Sequence, residues 1–147
     1  MKIINIYSKL TPSLLCHTVI LPTVVEDSMT CPESYHHRKD LTPTDRALQA
    51  AVITCGKGKT FRPHSHNRVT KTTETTGEAW VIMEGSVHIT YYDIDGTRLS
   101  SHVVSAGGCS ITNYGGHGYE ILEADTVAYE FKSGPYFGVK HDKTFLD

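Results

Sequence analysis

The pair His64 and His66 constrains this chain most, because the two histidines stand two residues apart, just after a proline, within residues 58–85, GKTFRPHSHNRVTKTTETTGEAWVIMEG. The run around the pair has strand character, and side chains two residues apart in a strand point to the same face. Both imidazole rings can therefore be aimed at one point. Imidazole is the commonest protein ligand of divalent transition metals. We therefore expect this strand to supply two metal ligands.

Two further residues complete a candidate metal site. Glu78 opens the apolar run AWVIM, which Gly85 ends at a turn, and Glu74 is the competing carboxylate. His117 lies in the turn sequence GGHGYE, where the flanking glycines let the backbone turn sharply and approach closely. Three histidines and one carboxylate from separate strands form a donor set of intermediate hardness. One divalent ion of iron, manganese, nickel or zinc would suit it.

Short apolar runs separated by turn signals follow one another along the chain, and none shows a sustained helical period. In the run SVHITYY, Val87, Ile89 and Tyr91 fall on one face of a strand, and RLSSHVV is placed to pair with it across the turn at residues 93–96. We therefore predict a single-domain, all-β sandwich or barrel, with residues 26–46 as a long polar loop.

Composition excludes several classes of partner. The net charge is −2, and the basic residues are scattered, so no electrostatic surface for nucleic acid or an anionic membrane is expected. No apolar run approaches the roughly 20 residues that a membrane-spanning helix needs, and we expect a cytoplasmic protein. The four cysteines have no close spacing, so reduced thiols are expected.

The spacing of these residues resembles that of the cupin superfamily. In the first cupin motif, a glycine precedes the His-x-His pair by five residues, as Gly58 precedes His64, and a glutamate precedes a glycine by six, as Glu78 precedes Gly85. The gap from His66 to Glu78 is eleven residues, where the motif has three or four. The second motif is one residue short before His117 and lacks its proline.

Within that superfamily, the chain resembles small bacterial cupins that share its segments DLTPTDRALQAAVITCGKGKTFRPHSH and GGHGYEILEADTVAYEFKSGPY. The resemblance covers residues 38–145. It implies a double-stranded β-helix, the cupin jelly-roll barrel, over residues 38–147. It also implies a metal held by His64, His66, His117 and Glu78. Such cupins are often associated with surface-carbohydrate biosynthesis, so a sugar or nucleotide sugar is the implied ligand.

Residues 1–37 form a separate N-terminal part, with two apolar strands and a loop. The strands predicted at residues 3–7 and 14–21 carry more apolar surface than a small barrel can cover. An exposed strand edge invites pairing. N-terminal strands of this kind often pair with a neighbouring subunit in small cupins, as the resemblance implies. The exposed edge and the resemblance together predict a homodimer.

Several residues could contact a small polar substrate. Arg62, Arg68 and Tyr119 lie near the candidate ligands in sequence. The strand TVAYEFK separates an apolar row from Glu130 and Lys132, which either face solvent, the default expectation, or reach a substrate at the barrel mouth.

Two classes of function remain open. The first is a metal-dependent isomerase, epimerase or dioxygenase, in which Glu78 or Tyr119 would act as acid or base. The second is a non-catalytic cupin that senses a ligand or assists a partner enzyme. A metal-free epimerase is a third possibility, but such barrels normally use a His–Asp pair as the base, and no such pair stands out in the sequence.

Overall fold

Ten β-strands form nearly all the regular structure of the computed structural model, which describes residues 1–22, 33 and 36–146. The strands are β1 (Lys2–Tyr7), β2 (Leu15–Leu21), β3 (His36–Asp40), β4 (Ala51–Cys55), β5 (Glu78–Glu84), β6 (Ser86–Tyr92), β7 (Arg98–Ser105), β8 (Cys109–Thr112), β9 (Gly116–Ile121) and β10 (Val127–Lys132), and a one-turn helix, α1 (Val139–Asp142), follows them. The all-β prediction is therefore confirmed. No helix within these residues is long and apolar enough to cross a membrane.

The main core lies between two antiparallel sheets. One sheet has five strands in the order β1-β2-β8-β5-β10, and the other has three in the order β7-β6-β9. The first sheet contributes Ile6, Val19 and Ile82 to one buried cluster, and the second contributes Val87, Ile89, Tyr91 and Val104. The predicted β6–β7 hairpin is confirmed, and the face that Val87, Ile89 and Tyr91 share is the buried one.

The turn that joins β5 to β6 requires a glycine. Gly85 has a φ of +74°, a backbone conformation that residues other than glycine rarely adopt. A Cβ atom there would also overlap the hydroxyl of Thr126. The turn predicted at Gly85 is thus confirmed, and it joins the five-stranded sheet to the three-stranded sheet.

Residues 56–77 contain no strand, so the prediction that His64 and His66 lie on one is wrong. Residues 60–76 are all exposed. This threonine-rich stretch has no apolar row to bury, so nothing offsets the entropic cost of ordering it against a sheet. In contrast, β3 forms within the predicted long loop and pairs with β4, and it spans the predicted division between residues 37 and 38.

The inward row of β10 is polar, contrary to the default expectation for Lys132, whose side chain is only 16% exposed; that of Glu130 remains 44% exposed. Val127, Tyr129 and Phe131 are 43%, 56% and 53% exposed. The alternate residues of the strand face the neighbouring sheet instead, because Glu130 pairs with Trp80 and Lys132 pairs with Glu78 in the β5–β10 register. On this face Glu130 accepts a hydrogen bond from the indole of Trp80, and Lys132 pairs with Glu78.

Candidate functional site

A row of polar side chains crosses the inner face of the five-stranded sheet. His17 on β2 is the register partner of Thr112 on β8, Thr112 is the partner of Glu78 on β5, and Glu78 is the partner of Lys132 on β10. Directly opposed residues in neighbouring strands share a face. His17 is fully buried, and Thr112 and Glu78 are only 3% and 5% exposed. The sheet therefore aligns four hydrogen-bonding groups, three of which are buried.

His117 and Tyr119 reach this row from the facing sheet. Their β6 partners are Tyr91 and Ile89, whose side chains are buried, so the two β9 side chains also point inward. His117 therefore lies one residue inside a strand, not on the predicted turn. The turn precedes it at Gly115, which has a φ of +75° and no room for a Cβ atom against the Tyr92 carbonyl oxygen.

Glu78 is the centre of the cluster. Its Oε1 atom lies 3.1 Å from His117 Nε2 and accepts a hydrogen bond of 3.2 Å from the Tyr119 hydroxyl. Its Oε2 atom lies 3.0 Å from Lys132 Nζ. Burial alone would raise the pKa of Glu78, but the hydrogen bonds and positive charges of His117 and Lys132 outweigh it and lower the pKa to about 2. Glu78 is therefore ionised at neutral pH.

Two of the three donors around Glu78, Tyr119 and Lys132, keep their protons at neutral pH. Burial, and next the negative charge of Glu78, raise the pKa of Tyr119. Burial would lower the pKa of Lys132, but its contacts with Glu78, Glu130 and Asp142 raise it overall. Tyr119 is thus a hydrogen-bond donor and Lys132 a cation. Neither group is suited to take up a proton from a substrate, and an ionised carboxylate with so low a pKa is a weak base.

An outer layer surrounds Lys132. Its Nζ atom lies 3.6 Å from Glu130 Oε1 and 3.4 Å from Asp142 Oδ2. The indole N–H of Trp80 donates to Glu130 at 3.3 Å, and the Trp80 ring stacks on Tyr119 with a centroid distance of 4.0 Å. The aromatic pair thus stiffens the side of the site that faces β10.

A second hydrogen-bond chain lies behind His117. Thr112 Oγ1 is 3.0 Å from His117 Nδ1 and 3.1 Å from His17 Nδ1. The other ring nitrogen of His17, Nε2, is 2.9 Å from the backbone carbonyl oxygen of Tyr92. Burial lowers the pKa of His17 to about 4, so this ring is neutral at neutral pH.

A cavity of about 500 Å³ opens over the cluster. Glu78, Thr112, His117 and Tyr119 line it on one side, and residues 142–146 line it on the other. Leu146 lies so close to Gly116 that a Cβ atom there would be 2.5 Å from Leu146 Cδ1. The segment after β10 therefore forms one wall of the cavity.

The structure brings together five of the residues predicted for the site, namely Glu78, His117, Tyr119, Glu130 and Lys132. His64, His66, Arg62 and Arg68 lie in the exposed part of segment 56–77, residues 60–76, as does the competing carboxylate, Glu74. The rings of His64 and His66 are 5.3 Å apart, and His64 Nδ1 lies 3.0 Å from the Arg62 carbonyl oxygen. Within the described residues, no group of three histidine, cysteine or acidic side chains is close enough together to hold a metal ion.

Sequence reasoning missed His17, Thr112, Trp80 and Asp142. His17 did leave a signal, because a histidine inside the apolar run LLCHTVIL must be buried with its nitrogens satisfied. Nothing in the sequence marks Thr112, whose role depends on lying between His17 and Glu78 in the sheet. His117 and Glu78, each predicted as a metal ligand, form a histidine–glutamate pair in direct contact.

Comparisons with protein-family models, with curated proteins and with solved structures find no match to this chain. The chemistry of the site is therefore inferred from its own geometry. An ionised carboxylate can only accept hydrogen bonds, so the contact between Glu78 and His117 places a proton on His117 Nε2. The arrangement can bind a polar molecule and donate a proton to it.

Proposed function

We propose that this chain is a metal-binding, cupin-like protein that acts on a small polar molecule by proton transfer, the sugar or nucleotide-sugar class being the one indicated by the cupin resemblance. Surface-carbohydrate metabolism is the corresponding setting. The two facing antiparallel sheets support a double-stranded β-helix as the finer description of the fold.

One observation carries the proposal: His117 Nε2 lies 3.1 Å from the buried Oε1 atom of Glu78, at the edge of a 500 Å³ cavity. Cavities of roughly 300–1,000 Å³ are typical of small-molecule sites. A histidine that holds a proton against a carboxylate is a general acid for a ligand oxygen. Lys132 keeps that carboxylate ionised whenever the proton leaves.

The residues present fit part of a metal site. His117 Nε2 and Glu78 Oε1, 3.1 Å apart, are a nitrogen and an oxygen donor that would bind one ion once the Nε2 hydrogen is released. His64 and His66 would be the other two ligands and would come from segment 56–77. When bound, a divalent ion would polarise a ligand oxygen. Lys132 and Tyr119 already satisfy Glu78 without it.

The ligand class is tested by thermal-shift and calorimetric titration with free hexoses and with uridine- and thymidine-diphosphate sugars. We expect at least one of them to raise the melting temperature of the wild-type protein. His117→Gln and Glu78→Gln should lose the effect. Glu120→Gln is the matched control, because Glu120 also contacts a histidine, His88 at 3.4 Å, but lies on the surface. If no sugar in the panel binds, the sugar class is excluded.

A second candidate, a non-catalytic binding protein, is favoured by the saturation of Glu78. Its two carboxylate oxygens already contact three donors, and no described base stands beside them free of a partner. Such a site would hold a polar ligand with no turnover.

Deuterium exchange separates the two candidates. Isomerisation or epimerisation removes a proton from carbon and returns one. Among the described residues of the site, His117 is the group that can take up that proton, once its Nε2 hydrogen has passed to a ligand oxygen. An enzyme incubated with its ligand in D₂O should therefore introduce deuterium into that ligand. His117→Gln should abolish the exchange. Binding by the wild-type protein without any exchange or oxygen uptake would favour the sensing role.

A further inference from the structure

We infer that His17 is a positioning residue: acting through Thr112, it holds a proton on His117 Nδ1, so that His117 Nε2 is the nitrogen presented to Glu78 and the cavity. The inference deepens the function proposed above and rests on it for its purpose. The hydrogen-bond directions themselves are independent of that function.

The first step is at the Tyr92 carbonyl oxygen. A carbonyl oxygen can only accept, so the nitrogen 2.9 Å from it, His17 Nε2, must carry a hydrogen. The reverse arrangement would set a nitrogen lone pair against an oxygen lone pair in a fully buried position, which costs free energy. The tautomer of His17 is thus set by the backbone of β6.

The second step is that His17 is neutral. Its ring is fully buried, packs 4.8 Å from the Tyr91 ring and is hydrogen-bonded only to a carbonyl and a hydroxyl among the described groups. Burial disfavours the charged ring and lowers its pKa to about 4. With its one hydrogen on Nε2, His17 presents a lone pair at Nδ1.

The third step is at Thr112, whose hydroxyl has a single hydrogen. Because His17 Nδ1 accepts, the Thr112 hydroxyl donates to it over 3.1 Å. The hydroxyl oxygen is then the acceptor in its 3.0 Å contact with His117 Nδ1. His117 must therefore carry a hydrogen on Nδ1, and its ring cannot turn over without breaking this bond.

The series of hydrogen bonds from His17 through Thr112 to His117 has a clear use in the site. A histidine that binds a ligand or an ion through Nε2 usually has its orientation and tautomer fixed by a hydrogen bond at Nδ1. Here that bond is itself fixed from β2 by a buried neighbour, which touches neither the cavity nor Glu78 in any described contact. His17 is thus placed to orient His117 without meeting the ligand.

The test is a ¹H–¹⁵N spectrum tuned to imidazole N–H groups, on ¹⁵N-labelled, chelator-treated full-length chain at one fixed pH. Wild type should show slowly exchanging hydrogens on His17 Nε2 and on His117 Nδ1. Thr112→Val should lose the His117 Nδ1–H signal and keep that of His17. Thr112→Ser, which restores the hydroxyl, should recover it.

Thr18→Val is the matched control, because Thr18, on β2, is also a buried threonine of the five-stranded sheet, but its hydroxyl donates to Asn5 Oδ1 at 3.2 Å. It should leave both signals in place. His17→Phe should also lose the His117 signal. If His17→Phe does not fold, Thr112→Val alone is sufficient for the test. A wild-type His17 hydrogen on Nδ1, or a His117 Nδ1–H signal that survives Thr112→Val, would overturn the inference. Because the spectra need no ligand, a failed sugar titration would not affect this result.

Discussion

Glu78 is held as a carboxylate where little water reaches it. Three donors, from His117, Tyr119 and Lys132, replace the hydration that burial removes. Because its pKa is lowered from an ordinary value of 4.5 to about 2, the folded state binds a proton at Glu78 less readily than the unfolded state does. Glu78 therefore links the stability of the fold to pH.

The sign of that link is a testable prediction. The stabilisation from Glu78 is complete above the unfolded pKa of 4.5 and is lost as the pH falls towards the folded value of about 2. A shift of this size corresponds to about 3 kcal/mol. Urea denaturation of wild type and Glu78→Gln should be measured at a series of pH values. The difference between their free energies of unfolding should narrow steadily as the pH falls from 4.5 to about 2.

The control for this experiment is Glu120→Gln, which alters an exposed histidine–glutamate contact. Exposed pairs contribute little, so its stability should follow that of wild type at every pH. Equal pH slopes for wild type and Glu78→Gln would mean that Glu78 is not specially stabilised as an anion.

At the scale of single elements, the β5–β6 turn sets which residues of β5 and β6 face the core. Gly85 stands in the left-handed backbone region, and a side chain there would overlap Thr126. Gly85→Ala should therefore destabilise the protein by about 1–3 kcal/mol. Chemical denaturation measures this directly.

Gly118 provides the comparison for that prediction. It lies in β9 between His117 and Tyr119, and a Cβ atom there meets nothing within 4 Å. Gly118→Ala should change the free energy of unfolding far less than Gly85→Ala does. A similar loss in both variants would show that the effect is not specific to the turn.

Segment 56–77 is the element on which the metal proposal depends, because it carries His64 and His66. We expect about one first-row divalent ion per chain in protein purified without chelator, and its loss in the double variant His64→Ala with His66→Ala. Both side chains are exposed, so the variant should fold normally. Elemental analysis and circular dichroism give the two readings.

A second pair of histidines serves as the control. His36 and His37 are also exposed, on β3, and their joint replacement by alanine should leave the metal content unchanged. Stoichiometric metal in the His64/His66 variant would exclude these two residues as ligands.

Which residues share a face of a strand could be predicted from the sequence, but which strands are neighbours could not. Alternation placed Val87, Ile89 and Tyr91 on one face of β6, and that face lies in the core. The same reasoning placed the polar row of β10 outside by default. It could not find the inward partners of Lys132 and Glu130, because these are set by the β5–β10 register. His117 and Glu78 were recognised separately, and only the facing of the two sheets brings them into contact.

At the scale of the whole molecule, both edge strands of the five-stranded sheet expose apolar side chains. Strand β1 is one edge of the five-stranded sheet, and its residue Tyr7 is 47% exposed. Strand β10 is the opposite edge, and it exposes Tyr129 and Phe131. The interior strand β2, in contrast, is almost wholly buried, so the N-terminal apolar surface is smaller than its sequence implies.

The predicted homodimer is tested by light scattering at micromolar concentration, where twice the chain mass is expected. If β1 forms the interface, adding charge through Ile3→Lys with Tyr7→Lys should give the monomer mass. If dimers persist in that variant but Tyr129→Lys with Phe131→Lys removes them, the interface lies on β10. A monomeric wild-type protein would contradict the prediction.

Trp80 is the only tryptophan of the chain, and it stacks on Tyr119 while its indole N–H bonds to Glu130. Excitation of tryptophan at the red edge of protein absorption therefore selects a single fluorophore, two contacts away from Glu78. The emission of an indole shifts with the charges and the polarity around it. The protein thus carries its own optical reporter, and the filling of the cavity can be followed in stopped-flow mixing without any label.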